Sequence, residues 1–329
     1  LTPEAAVHAE RFLKVLAFSG PFSGTMFALN AALRGSGDTK TPFFAMVVVN
    51  VVNMALSWLF VFGPAPFGGH GIEGIAWGTV TGWAMGLFFA AALVGRWKTE
   101  VLRWSVADLK PHWETIRRIL RVGAPQGLEI AGMWSIHAFG IHIIASLPIA
   151  GALGAHILAI RIEAMSFLPG FAVATAGATL AGQYLGAGSK EMAVKAVRFC
   201  WFTGISMMAV MGLIFIVFRN ELIALMAPGS EIHQQLGAPL LIVCGLAQPF
   251  YGTCIILKNT MRGAGATGIV MRAAFSSMIF YRIGVLWTLA KFGPINLTLV
   301  WIVLAVDLTT QAMIFARLHF KGRWLEARV

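Results

Sequence analysis

Residues 32–42 read ALRGSGDTKTP, and residues 260–270 read TMRGAGATGIV. Each stretch joins one apolar run to the next. Arg34-Gly35 matches Arg262-Gly263, Gly37 matches Gly265, and Thr39 matches Thr267, all at an offset of 228 residues. The likeness continues beyond the corner. Phe62-Gly63-Pro64 closes the run after the first copy and Phe292-Gly293-Pro294 the run after the second, at an offset of 230. The chain therefore builds one hinge twice, and the first copy comes early.

The runs on either side set the solvent. The chain is 58% hydrophobic and 12% charged, against about 25% charged in a soluble globular protein. Mean hydropathy is +0.76. A span needs roughly 20 apolar residues to cross about 30 Å of hydrocarbon. The pattern predicts nine spans, near 11–33, 42–63, 71–94, 118–147, 151–186, 192–218, 233–260, 268–291 and 295–317. The one candidate linker is 96–117, a basic stretch whose Trp97, Trp104 and Trp113 suit a membrane interface. Cys200, Cys244 and Cys254 lie in apolar runs without metal spacing and read as small core residues.

The net charge of +11 could signal nucleic acid, but its placement argues for topology. With 34–41 on the cytoplasmic side, nineteen Lys and Arg fall on that side and four on the other. That is the expected asymmetry of a polytopic protein. Six spans separate the two hinges, so both face the cytoplasm and the halves run parallel, related by a pseudo-twofold along the membrane normal. One span precedes Arg34, whereas four lie between the linker and Arg262. The first half thus lacks three spans, and a parent of twelve is expected, of which these are the last nine. The divisions are 1–95 (incomplete first lobe), 96–117 (basic cytoplasmic linker) and 118–329 (complete second lobe).

Several stretches resemble one family. RVGAPQGLE (121–129), GALGAHILAIRIEAMSFLPGFAVATAGATLAGQYLGAG (151–188), the hinge LRGSGDTKTP and the tail DLTTQAMIFARLHFKGRWL (307–325) are similar to the multidrug and toxic compound extrusion family, in order and spacing. The resemblance implies an all-α integral membrane protein: two six-helix lobes around a central cavity, with access alternating between the membrane faces. It implies export of organic, often cationic, compounds driven by inward H⁺ or Na⁺.

Ionisable residues at membrane depth cost at least about 2.5–3.5 kcal/mol on insertion scales and need a partner or a function. Glu129 lies about two turns into its span, four residues after Pro125, which frees a backbone carbonyl. Gln126 sits nearly one turn before it on the same face. Glu129 reads as the coupling carboxylate, a charge for which a proton and a cation compete. Glu163 shares a helix face with His156, and neighbouring Arg161 points elsewhere, so each needs a partner on another helix. In the first lobe Asn50 and Asn53 share a face. The family resemblance places Asn53 and Thr79 in a cation site there, while Ser57 stands where a carboxylate is common. Gln248-Pro249 offers polar cavity lining in the 233–260 span, which has no acid past Glu231; that leans the reading towards H⁺ over Na⁺, with Glu129 as the seat should Na⁺ be used. Asp307 reads as a structural partner to a neighbouring helix. His137 and His142 read as packing residues.

No Walker A, nucleophile elbow or HExxH is present, so neither ATP-driven transport nor an enzyme is expected. The expectation is a monomeric, multi-pass protein of the cell membrane, exporting cationic small molecules, with no cofactor beyond H⁺ or Na⁺ and no nucleic-acid partner. A lipid-linked precursor flippase of related two-lobe fold is the alternative. It would want a basic cavity, whereas Arg161 and Arg282 are the two mid-span arginines.

Overall fold

The computed structural model describes residues 3–96 and 112–326. Most of the linker, with Trp97 and Trp104, lies outside them. Two compact units separate between Pro111 and His112.

The first unit begins with α1 (Pro3–Ala17) and α2 (Ser19–Gly35). These form the first expected span, but it is broken by 48°. The cause is local: Pro21 has no N–H to give the carbonyl of Ala17, so it suits the first turn of a new helix and not the middle of an old one. Then come α3 (Lys40–Phe62) and α4 (Gly71–Arg96). Gly74, Gly78, Gly82 and Gly86 recur every fourth residue along α4. A Cβ on Gly78 would run into Ser57, and one on Gly86 into Val49. This glycine ridge brings α3 and α4 together, the closely packed small-residue contact favoured in lipid.

The second unit holds α5 (Trp113–Ala145), α6 (Ala152–Gly186), α7 (Lys190–Val217), short α8 (Arg219–Met226) and α9 (Glu231–Gly263). A further span runs from Thr267 to Phe292 as α10 (Thr267–Met278), a π-helical stretch (Ile279–Val285) and α11 (Leu286–Phe292). It is followed by α12 (Leu297–Phe320). The centre is α9, against which α6, α7, α8 and α12 all pack. It can be central because it is slim where it is crossed: a Cβ on Gly245 would strike the Gly212 carbonyl of α7, and one on Gly212 would strike the Gly245 carbonyl. Eight helices among the described residues are long and apolar enough to span a membrane, or nine with the bent α1–α2 pair taken as one span.

Both hinges fold alike. Gly37 and Gly265 have φ of 94° and 85°. The N–H of Gly37 donates to Arg34 O at 3.0 Å and that of Asp38 to Leu33 O at 2.9 Å; Gly265 donates to Arg262 O and Ala266 to Met261 O, both at 2.9 Å. This is the left-handed glycine stop that satisfies a helix's last carbonyls. A third copy ends α6: Gly188 has φ of 78°, its N–H donates to Leu185 O at 3.0 Å, and Ser189 donates to Tyr184 O at 2.8 Å.

Candidate functional site

The expected site residues fall into three places. In the first unit, the Asn53 amide donates to Thr79 Oγ1 across α3 and α4 at 3.0 Å. Asn50 does not join them: it is exposed and donates to Met46 O one turn back. Ser57 Oγ is buried without a hydrogen-bond partner.

The second place lies between the middle of α5 and the hinge end of α9. The Glu129 side chain is 2% exposed, with Lys258 Nζ at 2.5 Å from Oε1 and Arg262 Nη2 at 2.8 Å from Oε2. Lys258 and Arg262 are four residues apart on one face of the last turns of α9. Neither contact has hydrogen-bond angles, so charge holds the carboxylate here more than directed bonding does. The magnitudes explain the doubling. Removing a carboxylate from water costs several kcal/mol, and one opposite charge at about 4 Å returns about 4 kcal/mol at an effective dielectric near 20. One cation roughly breaks even, and a second tips the balance. The sequence reading counted Lys258 and Arg262 among the charges of the cytoplasmic side. The structure pairs both with Glu129 near the end of α9, which runs on to Gly263. Gln126 is half-buried beside this cluster on α5.

The third place is the interior of the second unit. Gln248 is fully buried and its amide donates to Cys244 Sγ at 3.2 Å; the half-buried Glu163 carboxyl reaches the same thiol from α6. Gln248 and Glu163 therefore meet through Cys244. Ten residues of α9, about 15 Å of helix, separate Gln248 from Lys258. Arg161 and Glu163 were expected to find ionic partners on other helices, yet neither forms an ion pair among the described residues. Arg161 is exposed.

Sequence reasoning placed Asp307 as a structural partner, and the structure supplies the pair. Its carboxylate is fully buried, accepting from Arg282 Nε at 2.6 Å, Ser277 Oγ at 2.5 Å and Gln311 Nε2 at 3.0 Å. Arg282 belongs to the π-helical stretch, whose wider turn redirects side chains and often marks functional positions. A cavity of about 20 Å³, room for one water, lies beside Arg282 and is lined also by His137 and His156. Trp301 Nε1 donates to His156 Nδ1 at 3.1 Å, so the proton of the neutral ring sits on Nε2. No group of His, Cys, Asp and Glu among the described residues is arranged to hold a metal ion.

The MatE family model matches residues 1–59 and 125–288. The chain is 28% identical over 327 residues to a "probable multidrug resistance protein NorM" of Thermotoga maritima, covering 98% of this chain and 69% of that one. It is 22% identical to a "probable multidrug resistance protein YoeA" of Bacillus subtilis, covering 92% and 65%. The chain thus spans about two thirds of the length of these curated relatives. Among solved structures, an outward-facing multidrug resistance MATE family transporter superposes with a TM-score of 0.83 at 19% identity, over all of this chain and 73% of that one. The Vibrio cholerae MATE transporter VcmN in its bent form gives 0.81 at 18% identity, over 96% and 69%. These two structures share the fold.

Proposed function

The chain belongs to the MatE family of membrane transporters, and from that premise we propose that the protein is a secondary exporter, trading organic cations outward for H⁺ inward. Its relatives are named multidrug resistance proteins, and its spans are those of a multi-pass membrane protein.

The observation that carries the reading is Glu129, a carboxylate 2% exposed between membrane helices and held by two cations of α9. A proton on Glu129 removes the negative charge that draws Lys258 and Arg262 to α5. The carboxyl accepts that proton only as the two cations withdraw, and they withdraw freely only once it is protonated. Proton binding and separation of α5 from α9 are therefore one linked event. One-for-one exchange of a proton for a singly charged cation moves no net charge, so the membrane potential of about 2.3 kcal/mol per charge at 100 mV cancels and the pH gradient drives it. A cationic substrate competes for the same negative charge once Lys258 and Arg262 have withdrawn from it. Gln126 beside it, and Gln248 with Glu163 deeper in the unit, provide polar lining. In the first unit Asn53 and Thr79 hold each other across α3 and α4, the pair proposed for that half.

The test is efflux of a fluorescent organic cation in everted vesicles. Collapsing the pH gradient is expected to stop accumulation, and replacing Na⁺ with choline is expected to leave it intact. Glu129→Gln is expected to abolish it. Accumulation at the normal rate in Glu129→Gln removes Glu129 from the coupling path.

A further inference from the structure

We propose that Lys258 is a tethered cation that occupies the Glu129 carboxylate and makes this centre indifferent to Na⁺. Three observations converge. Lys258 Nζ sits 2.5 Å from Oε1 while Arg262 takes Oε2, so both carboxylate oxygens are already claimed by positive charge. The three groups sum to one net positive charge, so an inorganic cation arriving here meets repulsion where an isolated carboxylate would offer attraction. The internal repeat shows that the ammonium is not a requirement of the corner itself. The corner arginines Arg34 and Arg262 correspond at the repeat offset, and the residue one turn before each is Asn30 in the first half and Lys258 in the second. Asn30 is buried, at 3% exposure, and its Oδ1 has no hydrogen-bond partner; the Lys258 side chain keeps 14% of its surface exposed. The same position thus carries a neutral amide in one half and an ammonium in the other, and the ammonium is the one set against a carboxylate.

The consequence follows from Coulomb's law. Deleting one positive charge about 4 Å from the seat strengthens the hold on a monovalent cation by on the order of several hundredfold at the effective dielectric of a protein. It also frees Oε1. Lys258→Asn copies the amide of the first half and leaves the Glu129–Arg262 pair, which is neutral overall.

This inference deepens the exporter reading by naming what decides the ion, and its test does not depend on transport. The full chain is purified in detergent and its thermal unfolding is followed in NaCl and in choline chloride at equal ionic strength. The two salts are expected to give the same midpoint for the unsubstituted protein and for Lys258→Arg. Lys258→Asn is expected to gain a saturable rise in midpoint with Na⁺, and Glu129→Gln in the same chain is expected to erase that gain. If Lys258→Asn does not fold, Lys258→Gln takes its place, since its amide still reaches the carboxylate. The proposal is overturned by a Na⁺-dependent, Glu129-dependent rise in the unsubstituted protein. It is overturned equally by a folded Asn or Gln variant that gains no response to Na⁺. Loss of drug efflux from vesicles with these midpoints as expected would sink the exporter reading and leave the role of Lys258 standing.

Discussion

Asp307→Asn isolates the worth of a charge that is fully buried. The substitution keeps the shape of the side chain and removes its charge. Arg282, with 17% of its side chain exposed, is then left without a counter-ion. Removing one partner of a buried pair costs about 3–5 kcal/mol. The residual exposure of the guanidinium puts the expected loss near the lower bound, about 3 kcal/mol. Weakened bonds from Ser277 and Gln311 act in the same direction, but they share the carboxylate and do not add independently. For a unit of this size about 1 kcal/mol moves the midpoint by about 2–4 °C, so Asp307→Asn is expected to lower it by about 6–12 °C. The assay is thermal unfolding of detergent-purified protein, followed by the shift in intrinsic tryptophan fluorescence. A second substitution sharpens it. Arg282→Met in the Asp307→Asn background removes the stranded charge and keeps most of the side-chain volume, so it is expected to recover at least half of the loss. A midpoint within about 2 °C of the original for Asp307→Asn, on the same scale, would refute the reasoning. So would a double variant no more stable than the single one.

Further predictions concern packing and local geometry. Gly212→Ala is expected to abolish stable folding of the second unit, or to lower its midpoint more than any surface change, because its Cβ meets the Gly245 carbonyl with no flexible atom to yield; expression and size-exclusion profiles read this directly. Gly265→Ala, at φ of 85°, is expected to cost about 1–2 kcal/mol from the left-handed backbone alone, and Gly37→Ala, at 94°, a similar amount in the first unit. Trp301→Phe removes the donor to His156 and is expected to cost about 1 kcal/mol, while His156→Phe in the same background adds little more; a double-mutant cycle checks the pairing. Asp38, between α2 and α3, is pushed up by burial, but hydrogen bonds from Thr41 and from the Lys40 and Thr41 backbone outweigh this and hold its carboxyl below the usual range. Because the folded value is depressed, its contribution is complete above the unfolded value of about 3.9 and is lost as pH falls through the folded value. Asp38→Asn is therefore expected to lower stability at neutral pH and to converge with the unsubstituted protein in acid, as read from midpoints across a pH series.

Much of the architecture is written in residues whose effect is local and strong. Long apolar runs can only be spans, and the repeated Arg-Gly-x-Gly corners can only be tight stops. Glu129 stood out because a carboxylate at that depth needs a reason. What surrounds it was illegible, since the partners lie some 130 residues away on a helix whose end the apolar pattern placed three residues short. Lys258 and Arg262 consequently read only as charges of the cytoplasmic side, with no partner on α5. The π-helical turn at Ile279–Val285 has no composition of its own, and the Arg282–Asp307 pair it carries is a contact between spans. The break before α2 did carry a signal, in Gly20-Pro21, but the apolar run overrode it. The third corner, at Leu185-Gly186-Ala187-Gly188, has leucine in place of the arginine and Lys190 in place of the threonine, so its likeness shows in the backbone and not in the motif.

Three corners of one shape also constrain how the protein moves. Each is closed by main-chain bonds around a glycine held at a single φ, so it has almost no freedom to flex. The pairs α2–α3, α6–α7 and α9–α10 are each therefore expected to hold a fixed internal angle. Two probes placed across any one of these pairs would report a constant separation through the whole working cycle, and would serve as the internal ruler against which every other distance change is judged.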